Sequence, residues 1–134
     1  MAEKAGLAQT VVSTGYLEHR ENVALLMASD VLWMTMSDDI SAPGKLYEYL
    51  GTGKPILGLV PPGGVADRLL EEYGAGFTAA PEDIRAIADH LITLYRAWKA
   101  KRLPEEINIP FVKQFDRRTL TRELARQLGL MITP

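Results

Sequence analysis

The stretch "SAPGKLYEYLGTGKPIL", residues 41–57, decides the fold because it predicts a helix that leads directly into a strand. Its middle, residues 44–50, is rich in helix formers, and Gly51 together with the next glycine is typical of a helix end. The apolar run "PILGLV", residues 55–60, is continuous rather than alternating, which is typical of a strand that helices cover on both faces. We therefore expect this segment to belong to a parallel sheet.

The same alternation of helix and strand extends along the chain. Short apolar or β-branched runs, which we predict to be strands, lie at residues 10–14, 31–36, 55–60 and 76–80. Helical patterns separate them at a repeat of roughly two dozen residues, as right-handed βαβ crossovers do. The predicted fold class is therefore α/β, with a parallel sheet of about four strands and helices on both faces.

The length of 134 residues fits a single domain. We expect βα units over residues 10–101, a connection with two prolines over 101–115 and a C-terminal helix over 116–129. Trp33 lies in a predicted strand and Trp98 on an apolar helical stripe, so both are expected in the core.

The composition excludes several classes of function. A formal net charge of -2 argues against a protein that coats nucleic acid, and the absence of cysteine excludes disulfides and cysteine-ligated zinc. The two histidines are far apart, so we expect no metal and no other cofactor. No stretch reaches the roughly 18 apolar residues of a membrane span. We expect a cytoplasmic protein, with at most a peripheral contact between its basic final helix and the inner face of a membrane.

The Gly-Thr-Gly-Lys sequence at residues 51–54 resembles the end of a phosphate-binding P-loop, but its context does not. Glu48 occupies the position where the P-loop motif needs a glycine, and Pro55 follows the lysine in place of a hydroxyl residue. The predicted order, helix before strand, is also reversed. Lys54 is therefore expected at the amino edge of the sheet, whereas ligands of open α/β sheets bind outside the carboxyl edge.

The beginning of the same helix is a better candidate site because it follows the carboxyl end of the second predicted strand. Pro43 is compatible with a first helical turn, and Gly44 allows a ligand to approach the backbone closely. The unpaired amides and the positive end of the helix dipole favour an anion there. Lys45 is unfavourable at this position unless a negative group neutralises it. A bound phosphate would be such a group; otherwise Lys45 is a solvated side chain or pairs with Asp38 or Asp39.

Three further features belong to the same predicted edge. Glu48 lies one turn after the lysine. Its carboxylate either accepts bonds from two neighbouring hydroxyls of a sugar, pairs with that lysine or belongs to an ordinary surface glutamate. Gly15 and Tyr16 follow the first predicted strand, and their backbone can meet a flat base. Gly63 and Gly64 precede another predicted helix, where they either offer amides to a phosphate or form a plain tight turn.

A characteristic order of short motifs runs through residues 11–95. It consists of Gly-Tyr at 15–16, "ASDVL" at 28–32, "KLYEYLGTGKPIL" at 45–57 and the glycine pair at 63–64. This order resembles the later half of the C-terminal, donor-binding domain of glycosyltransferases with the GT-B fold, of the type grouped as family 4.

The resemblance implies a donor-sugar site. In such enzymes the residue that matches Glu48 holds the ribose of the nucleotide, and the helix start that matches Gly44 and Lys45 faces the diphosphate. The loop from Gly15 to Leu17 would border the base. The family transfers a sugar from a nucleoside-diphosphate sugar, typically with retention of configuration and without a required metal.

Two departures from the family pattern change what is expected of this chain. The family has a second glutamate eight residues before the first, and Ile40 occupies that position here. The part of the domain that supplies a cationic clamp for the donor phosphates would lie before residue 1. We therefore expect an inactive fragment or one chain of a split enzyme, which pairs with its missing half, with another chain or with a second copy of itself.

Two alternatives to a glycosyltransferase were considered. One is a non-catalytic α/β module that binds a nucleotide or a protein partner. The other is a dinucleotide-dependent oxidoreductase, which the absence of a Gly-x-Gly-x-x-Gly motif after the first predicted strand disfavours.

Overall fold

The computed structural model describes residue 4 and residues 6–132. Helices and strands alternate through most of this part of the chain, and two helices follow at its end. In chain order the elements are α1 (His19–Ala28), β1 (Leu32–Thr35), α2 (Gly44–Thr52), β2 (Ile56–Leu59), α3 (Val65–Tyr73), β3 (Gly76–Ala79), α4 (Ile84–Lys99), α5 (Ile109–Lys113) and α6 (Arg117–Ile132).

The three strands form one parallel sheet in the order β1-β2-β3. Ile56 of β2 lies opposite Leu32 of β1 and opposite Gly76 of β3, so the strands are in register. A helix joins each strand to the next, as parallel pairing requires. The predicted α/β fold class with a parallel sheet is confirmed.

Two apolar clusters cover the two faces of the sheet. On the first face, α1, α2, α3 and α5 contribute side chains that pack with those of β1 and β2, namely Leu26, Leu46, Leu50, Leu70, Tyr73, Phe111, Leu32, Met34 and Ile56. On the second face, Leu94 of α4 packs with side chains of β2 and β3, namely Leu57, Leu59 and Ala79. Helices therefore cover both faces, as predicted.

The prediction of about four strands is wrong by one strand. Residues 11–14 have no regular secondary structure, and Val11 and Val12 are 55% and 83% exposed. β-branched side chains favour an extended backbone, but a strand also requires a neighbouring strand for its hydrogen bonds. In the described part of the chain no other strand pairs with this segment.

The expectation that both tryptophans are in the core is also wrong. Trp33 is 50% exposed and Trp98 is 48% exposed. Trp33 alternates with the buried Leu32 and Met34, so it points to the second face of the sheet. There the buried cluster consists of side chains of α4, β2 and β3, and half of the Trp33 side chain stays exposed.

The connection between α4 and the final helix contains the short helix α5. The Asn108 side chain caps α5 by accepting a hydrogen bond from the amide of Phe111, whose ring is buried in the first cluster. The final helix begins after Asp116, whose carboxylate accepts a bond from the Thr119 amide at 3.0 Å, and it continues past Gly129.

The closest contact between α3 and the sheet is made at two glycines. Leu70 of α3 is fully buried, and it lies over Gly58 of β2 and Gly76 of β3. A Cβ atom on Gly76 would come within 2.7 Å of the Leu70 carbonyl carbon, and one on Gly58 would meet the Leu70 side chain. The two glycines therefore set how near α3 can approach the sheet.

We expect Gly76→Ala to destabilise the protein by about 3 kcal/mol, because the new methyl group collides with backbone rather than with a movable side chain. Gly51→Ala is the matched control, since a Cβ there meets nothing within 4 Å inside α2. The control should stabilise the protein by up to about 1 kcal/mol. Urea unfolding of both variants measures the difference, and equal midpoints would contradict this account of the α3 contact.

Tyr73 makes the stability of the fold depend on pH in the alkaline range. Its ring is buried, its hydroxyl donates to the Lys54 carbonyl at 3.0 Å, and burial raises its pKa from 10.0 to about 12. The folded protein thus favours the neutral phenol. The resulting stabilisation is fully present below pH 10 and is lost as the pH rises toward about 12.

Tyr73→Phe should lower the free energy of unfolding at pH 7 by about 1 kcal/mol, because one buried hydrogen bond is lost. It should also reduce the fall in stability above pH 10 without abolishing it, since burial and then the Glu48 carboxylate raise the pKa of Tyr49 too. Tyr95→Phe, at a half-exposed ring, is the control. Denaturant titrations at several pH values test this, and an unchanged alkaline profile in Tyr73→Phe would refute it.

Candidate anion-binding site

An open crevice lies at the carboxyl end of β1, where the chain turns toward α2. A cavity of about 700 Å³ is lined by Thr35, Met36, Ser37, Asp38, Ser41, Ala42 and Pro43. A second cavity of about 370 Å³ shares three of these residues and extends past Lys45 and Tyr49 to Trp33. The crevice is therefore at the sheet edge where open α/β folds bind ligands.

The first turn of α2 presents two amides to open space. Pro43 is the N-cap, and its carbonyl accepts a hydrogen bond from the Leu46 amide at 2.9 Å. The amides of Gly44 and Lys45 have no acceptor among the described residues, and a Cβ on Gly44 would meet nothing within 4 Å. Together with the positive end of the helix dipole, these amides form a suitable place for an anion.

Lys45 and Glu48 both lie on the exposed side of α2. Because these two residues are three positions apart in a helix, they are separated by about 4.5 Å along the helix axis and by about 60° around it. Leu46 and Leu50 occupy the opposite, buried side. Among the described residues neither Lys45 nor Glu48 forms an ion pair, so the alternative pairings of this lysine with Glu48, Asp38 or Asp39 are not formed.

Asp38 places a negative charge in the same crevice. Hydrogen bonds from Ser41, first from its side chain and then from its backbone, lower the pKa of the Asp38 carboxyl below 3.8. The Ser41 amide lies 2.7 Å from the carboxylate oxygen. An ionised Asp38 repels a second anion, so an anion is favoured on the side of the crevice formed by Gly44 and Lys45.

Three amides in the loop that leads into α3 and at the first residue of that helix already have protein acceptors. The Gly63 amide donates to Asp67 at 2.7 Å, and the Gly64 amide donates to a carbonyl three residues earlier at 3.1 Å. The Val65 amide donates to the Asp39 carbonyl at 2.8 Å. The diphosphate role of Gly63 and Gly64 stays a prediction, and it would require a ligand to displace these internal acceptors.

Gly64 instead connects this loop to the one before α2. A Cβ on Gly64 would lie 3.1 Å from the Asp39 Cα and 3.0 Å from the Pro61 carbonyl oxygen. The two loops thus pack backbone against backbone, which the Val65 hydrogen bond to Asp39 reinforces. The sequence analysis missed this contact, although the Pro-Gly-Gly cluster signals a close approach of backbones.

The Gly15–Leu17 loop directly precedes α1. Gly15 has a φ of +66°, Tyr16 is 88% exposed and Leu17 is partly buried. In residues 6–132 no hydrogen bond joins this loop to the crevice. Its contact with a base therefore stays a prediction.

Lys54 lies at the opposite edge of the sheet from the crevice. It comes two residues before β2 begins, at the amino end of that strand. This position agrees with the rejection of a P-loop at residues 51–54.

The described part of the chain has neither a cluster of metal-ligating side chains nor a helix that could span a membrane. Its histidine, aspartate and glutamate side chains form no group of three or more that could hold a metal ion. None of its helices combines the length and apolar content needed to cross a bilayer.

We expect Ser41→Ala to raise the pKa of Asp38 back toward 3.8, because the largest cause of its lowering is the Ser41 side-chain hydrogen bond. Carbon-detected NMR titration of the carboxyl groups measures this. Ser37→Ala, which removes another crevice hydroxyl, should leave the Asp38 titration unchanged. If Ser41→Ala and Ser37→Ala leave Asp38 with the same pKa, the Ser41 hydrogen bond is not the main cause of the lowered pKa.

The chain was compared with known proteins at three levels. No protein-family model, no curated protein and no solved structure matches it.

Proposed function

We propose that this chain is the donor-binding part of a glycosyltransferase that moves a sugar from a nucleoside-diphosphate sugar to a glycan, a lipid or a small acceptor. The observation that carries the proposal is the pair of α2 amides, on Gly44 and Lys45, which lack protein acceptors beside an open crevice. The order of motifs that resembles family 4 enzymes supports it. The isolated chain is expected to bind a donor weakly and to be inactive.

In this proposal the start of α2 binds the diphosphate. The two amides donate hydrogen bonds to phosphate oxygens, and the Lys45 ammonium adds a positive charge that no described carboxylate neutralises. A diphosphate is also the leaving group of sugar transfer. Donors that are fixed before the reaction stabilise the charge that develops as the bond to the sugar breaks.

Glu48 is proposed to bind the ribose. Its carboxylate is exposed one turn beyond the amides, and neither a hydrogen bond nor an ion pair with another described residue occupies it. A free carboxylate can accept hydrogen bonds from both hydroxyls of a vicinal diol. This role places the nucleoside alongside α2.

The base is proposed to lie near the Gly15–Leu17 loop. The nearly fully exposed ring of Tyr16 offers a flat apolar surface, and Gly15 lets the backbone approach a planar group. Gly63 and Gly64 would contribute to the diphosphate site only if their amides gave up their present protein acceptors and donated hydrogen bonds to the phosphates instead. A cytoplasmic location, with at most peripheral membrane contact, belongs to the same proposal.

A second candidate function is a non-catalytic module that binds a nucleotide or a partner protein. The uncovered second face of β1, where Trp33 is half exposed, favours it because this surface is suited to another polypeptide. One chain of a split glycosyltransferase would combine both functions.

Calorimetric titration of nucleoside diphosphates tests the anion site. We expect Lys45→Ala to weaken binding by about tenfold, because a charge-assisted contact is lost. Lys54→Ala, which removes the same charge at the opposite sheet edge, is the matched control and should have little effect. Asp38→Asn should strengthen binding, since it removes a negative charge from the crevice. Equal losses in the two lysine variants would overturn the proposed position.

Inorganic pyrophosphate separates the ribose contact from the phosphate contact. Glu48→Ala should weaken binding of a nucleoside diphosphate by about tenfold, because two hydrogen bonds to a carboxylate are lost. It should leave pyrophosphate binding unchanged or slightly tighter. If Glu48→Ala affects both ligands equally, the ribose role is wrong even though the anion site stands.

A further inference from the structure

The outer edge of β1 is an unoccupied position for a strand. The amides of Leu32 and Met36 donate to carbonyls on the β2 side, at 2.9 Å each. Backbone groups alternate in direction along a strand, so the amides of Trp33 and Thr35 face outward. In the described part of the chain the outward groups meet only the Tyr49 hydroxyl, 3.5 Å from the Trp33 carbonyl. A parallel strand added here would satisfy them.

The position of α1 indicates that a strand belongs at this edge. Leu26 of α1 packs in the same cluster as Leu46 of α2 and Leu70 of α3, so the three helices share one face of the sheet. α2 and α3 each carry the chain one strand further in the direction from β1 to β3. Connections between parallel strands are almost always right-handed. A helix on this face that leads into β1 must therefore come from a strand on the far side of β1, which is its outer edge.

The segment that leads into α1 has the composition of that strand. Residues 10–14, "TVVST", are β-branched apart from one serine. Val11 and Val12 are nevertheless exposed, and residues 11–14 have no regular structure. The described part of one chain thus contains both a strand edge without a neighbour and a strand-forming segment without a pairing partner, and these two do not pair with each other.

We propose that the strand-forming segment of one copy of this chain pairs with the open edge of β1 in a second copy. Residues 10–14 of one copy add to the outer edge of β1 in the other as a fourth parallel strand, and the exchange is reciprocal. Such a swap satisfies the same hydrogen bonds in both copies and closes as a twofold dimer. Gly15, whose φ of +66° turns the chain just before α1, is the hinge of the exchanged segment.

The surface beside this edge favours a protein neighbour over solvent. A cavity of about 250 Å³ is lined by Val31, Leu91, Tyr95 and Trp98 together with Asp30 and Leu94, at the beginning of β1. Trp33 continues the apolar surface along the uncovered face of the strand. A second copy held at the edge would cover part of this surface and so add apolar burial to the backbone hydrogen bonds.

Sedimentation equilibrium measures the dimer directly, and two proline variants test its contacts. Val12→Pro removes an amide from the exchanged strand, and Thr35→Pro removes an outward amide of β1 without affecting the bonds to β2. Each should raise the dimer dissociation constant by at least about tenfold. Ala8→Pro is the control, because it lies in the exposed turn closed by the Thr10 amide and the Leu7 carbonyl. Circular dichroism verifies that each variant is folded.

Cysteine cross-linking identifies which copy supplies the strand, since the chain has no cysteine of its own. Val12→Cys and Thr35→Cys chains, mixed under mild oxidation, should form a disulfide-linked heterodimer faster than either chain links to itself. A monomeric wild-type chain at on the order of 100 µM would overturn the proposal. So would a double variant whose cysteines join within one chain. Because Thr35 also lines the crevice beside α2, the anion site is tested separately, by pyrophosphate binding to the wild-type chain and to Val12→Pro.

Discussion

The close approach of α3 to the sheet is the constraint on which the other parts of this molecule depend. Leu70 is fully buried against two strands because Gly58 and Gly76 have no side chains in its way. Tyr73, one turn later, fills the same cluster and bonds the carbonyl of Lys54 just before β2. α3 is therefore fixed at both the middle and the amino edge of the sheet, which leaves its beginning at the carboxyl edge in a defined place.

The position of the beginning of α3 determines the shape of the candidate site. The beginning of α3 packs Gly64 against the backbone of Asp39, and the Val65 amide bonds the Asp39 carbonyl. These contacts hold the loop that leads to α2, and they engage the first amide of α3, that of Val65. The amides of Gly44 and Lys45 receive no such partner in the described structure. The first amide of α3 is engaged by the Asp39 carbonyl, whereas the first two amides of α2 have no described acceptor beside the crevice, and this difference is the basis of the proposed location.

The unpaired edge of β1 accounts for features that otherwise look unrelated. Trp33 is half exposed on the face of the sheet where the buried cluster joins α4 to β2 and β3. Val11 and Val12 are exposed because no strand among the described residues pairs with the segment that contains them. Both follow from a sheet that ends one strand earlier than its helices imply, since α1 already lies where a right-handed crossover into β1 would place it.

The sequence by itself determined the local elements: a helix over residues 44–50 followed by glycines, which the structure extends to Thr52, the following strand, the α/β class and the position of Lys54 away from the site. These depend on hydrogen bonds and side-chain periodicity within a few residues, which any window of sequence contains. Only the tertiary structure decided that residues 11–14 are not a strand, that Trp33 is exposed and that the Gly63 amide is occupied. Pairing and burial depend on whether a distant segment fills the neighbouring position, and no local pattern records that.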